Sequence, residues 1–367
     1  MAAPIALDEY PIHQTPLSLG RVGSSDRNFY DRCYFNAHDR AGGTLLITGL
    51  GVYPNLGVVD AYAALRRGDD QRVVRFSDAL TERSLEQRVG GYHIEVLEPL
   101  RRLRIVCEHE DLGFDLTWTG AFPAVQEEPH LLLSGNRVVI DSSRFVQVGT
   151  WSGTIRADGI ESAVDPVGWT GNRDRSWGIR GVGEPEPPGR NASEPPGGLW
   201  WLYVPLRFDD FSIVVIVQEG PDGHRTLNNA VRVWPDGRVE QLGWPRVRIE
   251  YRSGTRVPVA ARMEMTDAGG EPLTVDIRVH TGIGLHMGCG YGRDPEWVHG
   301  QWRGRDWSLS SRFDLADPAV AARFGDGAVD HVGQARCGDA EGWGLFEHAL
   351  LGRHAPTGFT EWNTVAP

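Results

Sequence analysis

Residues 169–180, WTGNRDRSWGIR, set Asp174 among three arginines and two tryptophans within twelve positions. The stretch is too charged for an ordinary core strand and too aromatic for an ordinary loop. On an extended backbone, side chains alternate faces. Asn172, Asp174 and Ser176 then share one face, and Arg173, Arg175 and Trp177 share the other. The arginines flanking Asp174 in sequence would point away from it. A carboxylic acid left among neutral groups on a dry wall has its pKa raised by desolvation, which suits a proton donor. Arg180 lies beyond Gly178, where the chain can bend, and can return to either face. The competing reading is an ion-pair clamp at a strand end, with Trp177 filling the space beneath it.

Other residues could join such a site. Glu347 and His348 are adjacent, so on a strand they face opposite ways, and Glu347 is the candidate for a second polar group in a cavity. His299, just before Gln301 and Trp302, is a candidate acid–base partner, although single histidines more often serve as ordinary hydrogen-bonding groups. Tyr53, in Tyr-Pro-Asn, reads as part of a turn closing a barrel end and lining it. Trp169, Trp177 and Trp201 would supply apolar walls. Arg173 and Arg180 would hold the loop or an anionic group of a substrate.

Composition removes several chemistries. The chain contains no lysine, so all 37 basic residues are arginine. That excludes Schiff-base chemistry, the Walker A loop and the kinase lysine. There is no G-x-S-x-G elbow, no H-E-x-x-H and no G-x-G-x-x-G opening a helix, so neither a metal nor another cofactor is expected. The formal charge of −12 argues against a nucleic-acid partner. No apolar run is long enough to span a membrane, and the N-terminus lacks a signal-peptide pattern, so the location expected is cytoplasmic. The four cysteines are widely spaced and read as free thiols. Monomer and homodimer are equally compatible with this composition.

These residues need a scaffold, and its pattern is β. Glycine makes up 46 of 367 residues, above the usual share of ~7%, which fits many turns between short strands. Residues 102–110, 112–120, 144–155, 199–208 and 211–220 alternate or run apolar as strands do. Residues 229–242 form a hairpin pattern around Pro235-Asp236-Gly237. Residues 60–68 and 317–325 are short enough to be one or two helical turns each. The segment 181–198 has five prolines in eighteen residues and reads as a linker or long loop. The expectation is an all-β chain of two antiparallel domains, residues 1–185 and 199–367, joined by a linker at 186–198.

The motif R-D-R-S-W-G-I-R resembles the R-D-[HR]-S-W-G-x-R signature of a bacterial lipocalin-like family related to carotenoid hydratases and AttH-type proteins. Residues 26–62, 96–105, 144–153 (RFVQVGTWSG) and 342–354 (GWGLFEHALLGRH) extend the resemblance along nearly the whole chain. It implies two tandem lipocalin-like β-barrel domains around a hydrophobic cavity. It also implies that Asp174 protonates a carbon–carbon double bond of an isoprenoid-like molecule, giving hydration, cyclisation or isomerisation. Two departures stand out: Arg175 replaces the histidine after the aspartate, and Asn172 replaces the aromatic two before it. Whatever orients the acid must therefore differ. A non-catalytic carrier of a hydrophobic ligand, or a pericyclase that only folds its substrate, would need the cavity without the acid.

Overall fold

The computed structural model describes residues 7, 10–11, 13–81, 85–185, 197–292 and 294–367. Most of the expected linker, residues 186–196, lies outside the described residues. The chain is all-β, with two curled antiparallel half-barrel sheets matching tandem lipocalin-like domains. No helix among the described residues is long and apolar enough to cross a membrane.

The first sheet is built from β1 (Phe29–Asp39), β2 (Thr44–Tyr53), β3 (Val58–Arg67), β4 (Asp70–Ala79), β5 (Gln87–Val89), β6 (Tyr92–Glu98), β7 (Arg102–Cys107) and β8 (Leu112–Gly120). It continues with β9 (Val125–Gln126), β10 (His130–Ser134), the long β11 (Arg137–Ala157), β12 (Ile160–Val164) and β13 (Trp169–Arg180). Its strand order runs β4-β3-β2-β1-β13-β11-β8-β7-β6-β5, so β13 sits centrally, between β1 and β11.

The second sheet comprises β14 (Gly198–Arg207), β15 (Ser212–Glu219), β16 (Arg225–Val233), β17 (Val239–Gln241), β18 (Arg246–Tyr251), β19 (Pro258–Thr266) and β20 (Pro272–Gly284). After β21 (Trp307–Asp314) and a short α1 (Pro318–Ala321), it is completed by β22 (Val329–Cys337) and β23 (Ala340–Gly352). Its order is β17-β16-β15-β14-β23-β22-β20-β19-β18. The 229–242 hairpin turns as its residues dictate. Gly237 takes φ +89°, and the Asp236 carboxylate accepts the Arg238 N–H at 2.9 Å.

Strand alternation gives each sheet two apolar faces, and both are used. The first curl closes on Phe35, Leu116, Trp118, Trp151 and Ile155, and the second on Leu202, Val215, Met263 and Phe346. The opposite faces pack against each other across a seam, Tyr34, Ile47, Tyr62 and Val146 meeting Tyr203, Ile216, Val332 and Leu345. Burying each such side chain contributes about 1.5–3 kcal/mol. The curl also needs small residues where strands converge. Gly171 on β13 pairs with Gly149 on β11, and a Cβ on Gly171 would lie 2.0 Å from the Asn36 carbonyl oxygen.

Two features differ from the sequence reading. Residues 60–68 are not helical: they fall in β3 and the turn after it, and the strand is buried on both faces between β2 and β4. A doubly buried strand has a near-continuous apolar run that cannot be told from a short helix by pattern. The chain also crosses between sheets. After β20, residues 285–306 run onto the first sheet, where Gln71 Nε2 donates to the Met287 carbonyl at 2.9 Å and the Asp60 carboxyl accepts the Gly300 N–H at 2.6 Å. β21 then pairs with β4, adding an eleventh strand to that sheet's order and covering its edge.

Candidate active site between the two sheets

Asp174 faces the seam because of register. On β13 it pairs with Tyr34 of β1 and Val146 of β11, both seam residues. Arg173 and Arg175 pair with Phe35 and Cys33, which face the first curl. The row two residues along from Asp174 holds Arg32, Ser176 and Arg144 on the same three strands. Two guanidiniums therefore lie diagonal to the Asp174 carboxyl.

A cavity of about 1160 Å³ opens here, lined by residues of both sheets. Asp174, Ser176, Arg32, Arg144 and Arg180 form its wall on one side, with Trp201 and Glu347 on the other and Tyr291 from the crossover segment. The hydrophobic cavity expected inside a barrel is thus corrected. The interiors of both curls are filled by their own large side chains, and the space lies between the sheets' opposite faces.

The carboxyls around this space have distinct partners. Glu127, just past β9, accepts from Arg144 Nε at 2.5 Å. Glu347 accepts the Trp201 indole N–H at 2.8 Å. Asp330, paired with Glu347 across β22 and β23, accepts the Tyr34 hydroxyl at 2.5 Å. Asp174 is 9% exposed, and its carboxyl has no hydrogen bond or ion pair among the described residues. Burial raises its pKa, opposed by Arg144, Arg32, Arg180 and Arg173. Burial also pushes Glu347 up to about 7 and holds Asp330 well above the ordinary carboxylate range, with Glu347 adding to the rise. The cavity arginines also lie against aromatic faces. Arg144 lies 4.7 Å from the Tyr203 ring centroid and Arg180 lies 5.3 Å from that of Tyr30.

Of the residues singled out in sequence, the structure brings Asp174, Arg180, Trp201 and Glu347 together on the cavity wall. Five lie elsewhere. Arg173 faces the first curl, where its Nε donates to Gln147 Oε1 at 2.9 Å. Trp177 shares that face at its rim, about one-third exposed and near Phe145. Trp169 belongs to the core of the first curl. Tyr53 is fully buried and donates to Asp60 at 3.1 Å. His299 is buried behind Tyr291, 4.8 Å between ring centroids, and does not reach the cavity.

Sequence reasoning missed Arg32, Tyr34, Glu127, Arg144, Tyr291 and Asp330. Arg32 and Tyr34 carried a signal: YDRCYFN alternates, with Tyr30, Arg32 and Tyr34 on one face and Cys33 and Phe35 on the other. Arg144 enters through the pairing of β11 with β13, and Tyr291 through the crossover, neither of which a sequence pattern states.

Fold and site together define a two-domain lipocalin-like β-protein with an acid-bearing cavity at the seam of its sheets. The chain belongs to the family described as "Family of unknown function (DUF8625)", whose model matches residues 5–360. No curated protein matches the chain. Solved structures share its fold at low identity. An AttH-like protein from Nitrosomonas europaea is 13% identical with a TM-score of 0.54, over 91% of this chain and 99% of that one. CghA is 13% identical with a TM-score of 0.52 over 89% of each chain, and is also solved with Sch210972. Kievitone hydratase from Nectria haematococca is 14% identical with a TM-score of 0.48, over 91% and 90% of the two chains.

Proposed function

We propose that this protein is an enzyme that protonates a carbon–carbon double bond of a largely apolar small molecule held in the seam cavity. Asp174 is the acid, and no cofactor takes part. The observation that carries the reading is the state of Asp174: buried, on the cavity wall, its pKa raised, and its carboxyl without a hydrogen-bond or ion-pair partner among the described residues. A structural clamp would show the carboxylate paired with an arginine, as Glu127 is with Arg144. An unpaired buried carboxylate costs several kcal/mol, whereas the neutral acid is tolerated and ready to donate.

In the reaction, the Asp174 proton passes to one alkene carbon, leaving a carboxylate on Asp174 and a cation at the other carbon. Addition of water followed by loss of a proton gives the alcohol; loss of a neighbouring proton gives the isomer; attack by a second double bond closes a ring and moves the cation to that bond's far carbon, which then loses a neighbouring proton. Each route ends with one proton released, which restores Asp174. Tyr30, Tyr34 and Trp201 supply aromatic wall to the space where charge develops. A fold neighbour, CghA, has been solved with Sch210972, which agrees with a ligand-holding use of this architecture. A pure carrier would use the same cavity but gives the unpaired Asp174 no purpose.

The test is incubation of wild type and Asp174→Asn in D₂O with a panel of isoprenoid and polyketide alkenes, read by mass spectrometry. Deuterium or added water with wild type alone, the variant being folded by circular dichroism, supports the acid role. Compounds retained unlabelled by both proteins would make the protein a carrier.

A further inference from the structure

The cavity's positive groups have a use that proton donation leaves open. Arg32 lines the cavity, is 5% exposed, and makes no ion pair among the described residues. Its Nη2 donates to the Tyr291 hydroxyl at 3.0 Å, while its Nη1 is buried with no hydrogen-bond partner. Arg180 lines the same space and also has no carboxylate partner among the described residues. Both guanidiniums flank one ring: Arg32 Cζ lies 4.9 Å and Arg180 Cζ 5.9 Å from the Tyr291 centroid. Two other cavity arginines differ. Arg144 is matched by Glu127, and Arg256 spends its donors on the carbonyls of Leu350, Gly352, Glu361, Trp362 and Thr364.

Resting on the acid-catalysis reading above, we infer that Arg32 and Arg180, gathered around Tyr291, form a subsite for the carboxylate of an amphipathic substrate whose apolar body carries the reacting double bond. Three physical points favour this. A guanidinium with an unfilled buried donor is a standing cost that an oxyanion removes. The planar fork of arginine matches the two oxygens of a carboxylate. Two unneutralised positive charges would also oppose cation formation beside Asp174. A bound anion cancels that field, so the same head group that anchors the substrate makes protonation at its double bond less costly. The reactive carbon then lies within a molecule's length of its acid end, and neutral hydrocarbons bind without an anchor.

The test uses farnesoic acid and farnesol, which share a chain and differ in the head group, in equilibrium binding at neutral pH to the full chain. Wild type is expected to bind the acid at least about tenfold more tightly, the equivalent of one charge-assisted hydrogen bond. Arg180→Gln, at the less buried of the two arginines, is expected to abolish that preference while leaving farnesol within about twofold of wild type. Arg32→Gln is expected to do the same; if it does not fold, Arg180→Gln decides. Equal affinity for acid and alcohol, binding of neither, or a preference that survives Arg180→Gln overturns the subsite. The two readings fail separately. An acid preference without deuterium transfer keeps the subsite and removes the acid role of Asp174; deuterium transfer without an acid preference does the reverse.

Discussion

Asp60 offers a sharp test of the packing that seats the crossover segment beside the cavity. It lies on β3 at 1% exposure, taking hydrogen bonds from Tyr53 Oη at 3.1 Å and Gly300 N at 2.6 Å. Burial pushes its carboxyl from the ordinary 3.8 up to about 7, with the Gly300 N–H, Arg32 and Tyr53 offsetting part of the rise. In the unfolded chain it titrates near the usual ~3.9. Between those values the folded state keeps a proton that the unfolded chain has released. Its stabilising contribution is therefore complete below about pH 4, falls as pH rises to about 7, and is lost above. A gap of about three units at about 1.4 kcal/mol per unit makes the swing about 4 kcal/mol. Asp60→Asn keeps the shape and one acceptor and has no charge to bury. It is expected to be neutral or mildly destabilising at about pH 4.5, and more stable than wild type by up to about 4 kcal/mol at about pH 8. Urea unfolding followed by tryptophan fluorescence at a series of pH values measures the difference. A stability difference that does not change with pH would refute the reasoning.

Other perturbations follow from the same geometry. Arg144→Met strands Glu127 in a nearly dry position and is expected to cost about 3–5 kcal/mol in urea unfolding, while Arg144→Met combined with Glu127→Met recovers most of it. Gly171→Ala puts a methyl 2.0 Å from the Asn36 carbonyl oxygen, a backbone atom that cannot swing aside, so a loss of at least about 1–3 kcal/mol is expected. Trp177→Ala removes a ring at the rim of the first curl, away from the seam. It is expected to leave product formation unchanged and to cost no more than about 1 kcal/mol.

The strand content was legible because most of these strands bury one face and expose little of the other, giving alternation or unbroken apolar runs. The β16–β17 hairpin was legible down to its turn, since Pro235-Asp236-Gly237 allows few other conformations. The two-face reading of residues 172–177 matches β13, where Asp174 and Arg173 point to opposite sides of the sheet. β3 misled because burial on both faces erases the two-residue period. The cavity's position was not legible either. Filling each curl with its own tryptophans and phenylalanines is a matter of volume and register, and moving the space to the seam depends on β1, β11 and β13 lying side by side. Tyr291 reaches Arg32 only because residues 285–306 cross to the other sheet, a tertiary choice with no local signature. His299 and Tyr53, chosen for their types, serve that crossing and sit behind the cavity wall.

Asp174 must keep its proton above the ordinary carboxylate range if it is to act as the acid. The direct measurement is the carboxyl band in infrared spectra of wild type and Asp174→Asn across about pH 3 to 8, read as a difference and repeated in a Glu347→Gln background, since the Asp174 charge also raises Glu347 and Asp330. A protonated-carboxyl band present only in wild type, titrating with a midpoint above the usual ~3.9, is the expected result. A midpoint at or below that value would mean that Asp174 enters the cavity as a carboxylate held by its arginines, and the acid role would be lost.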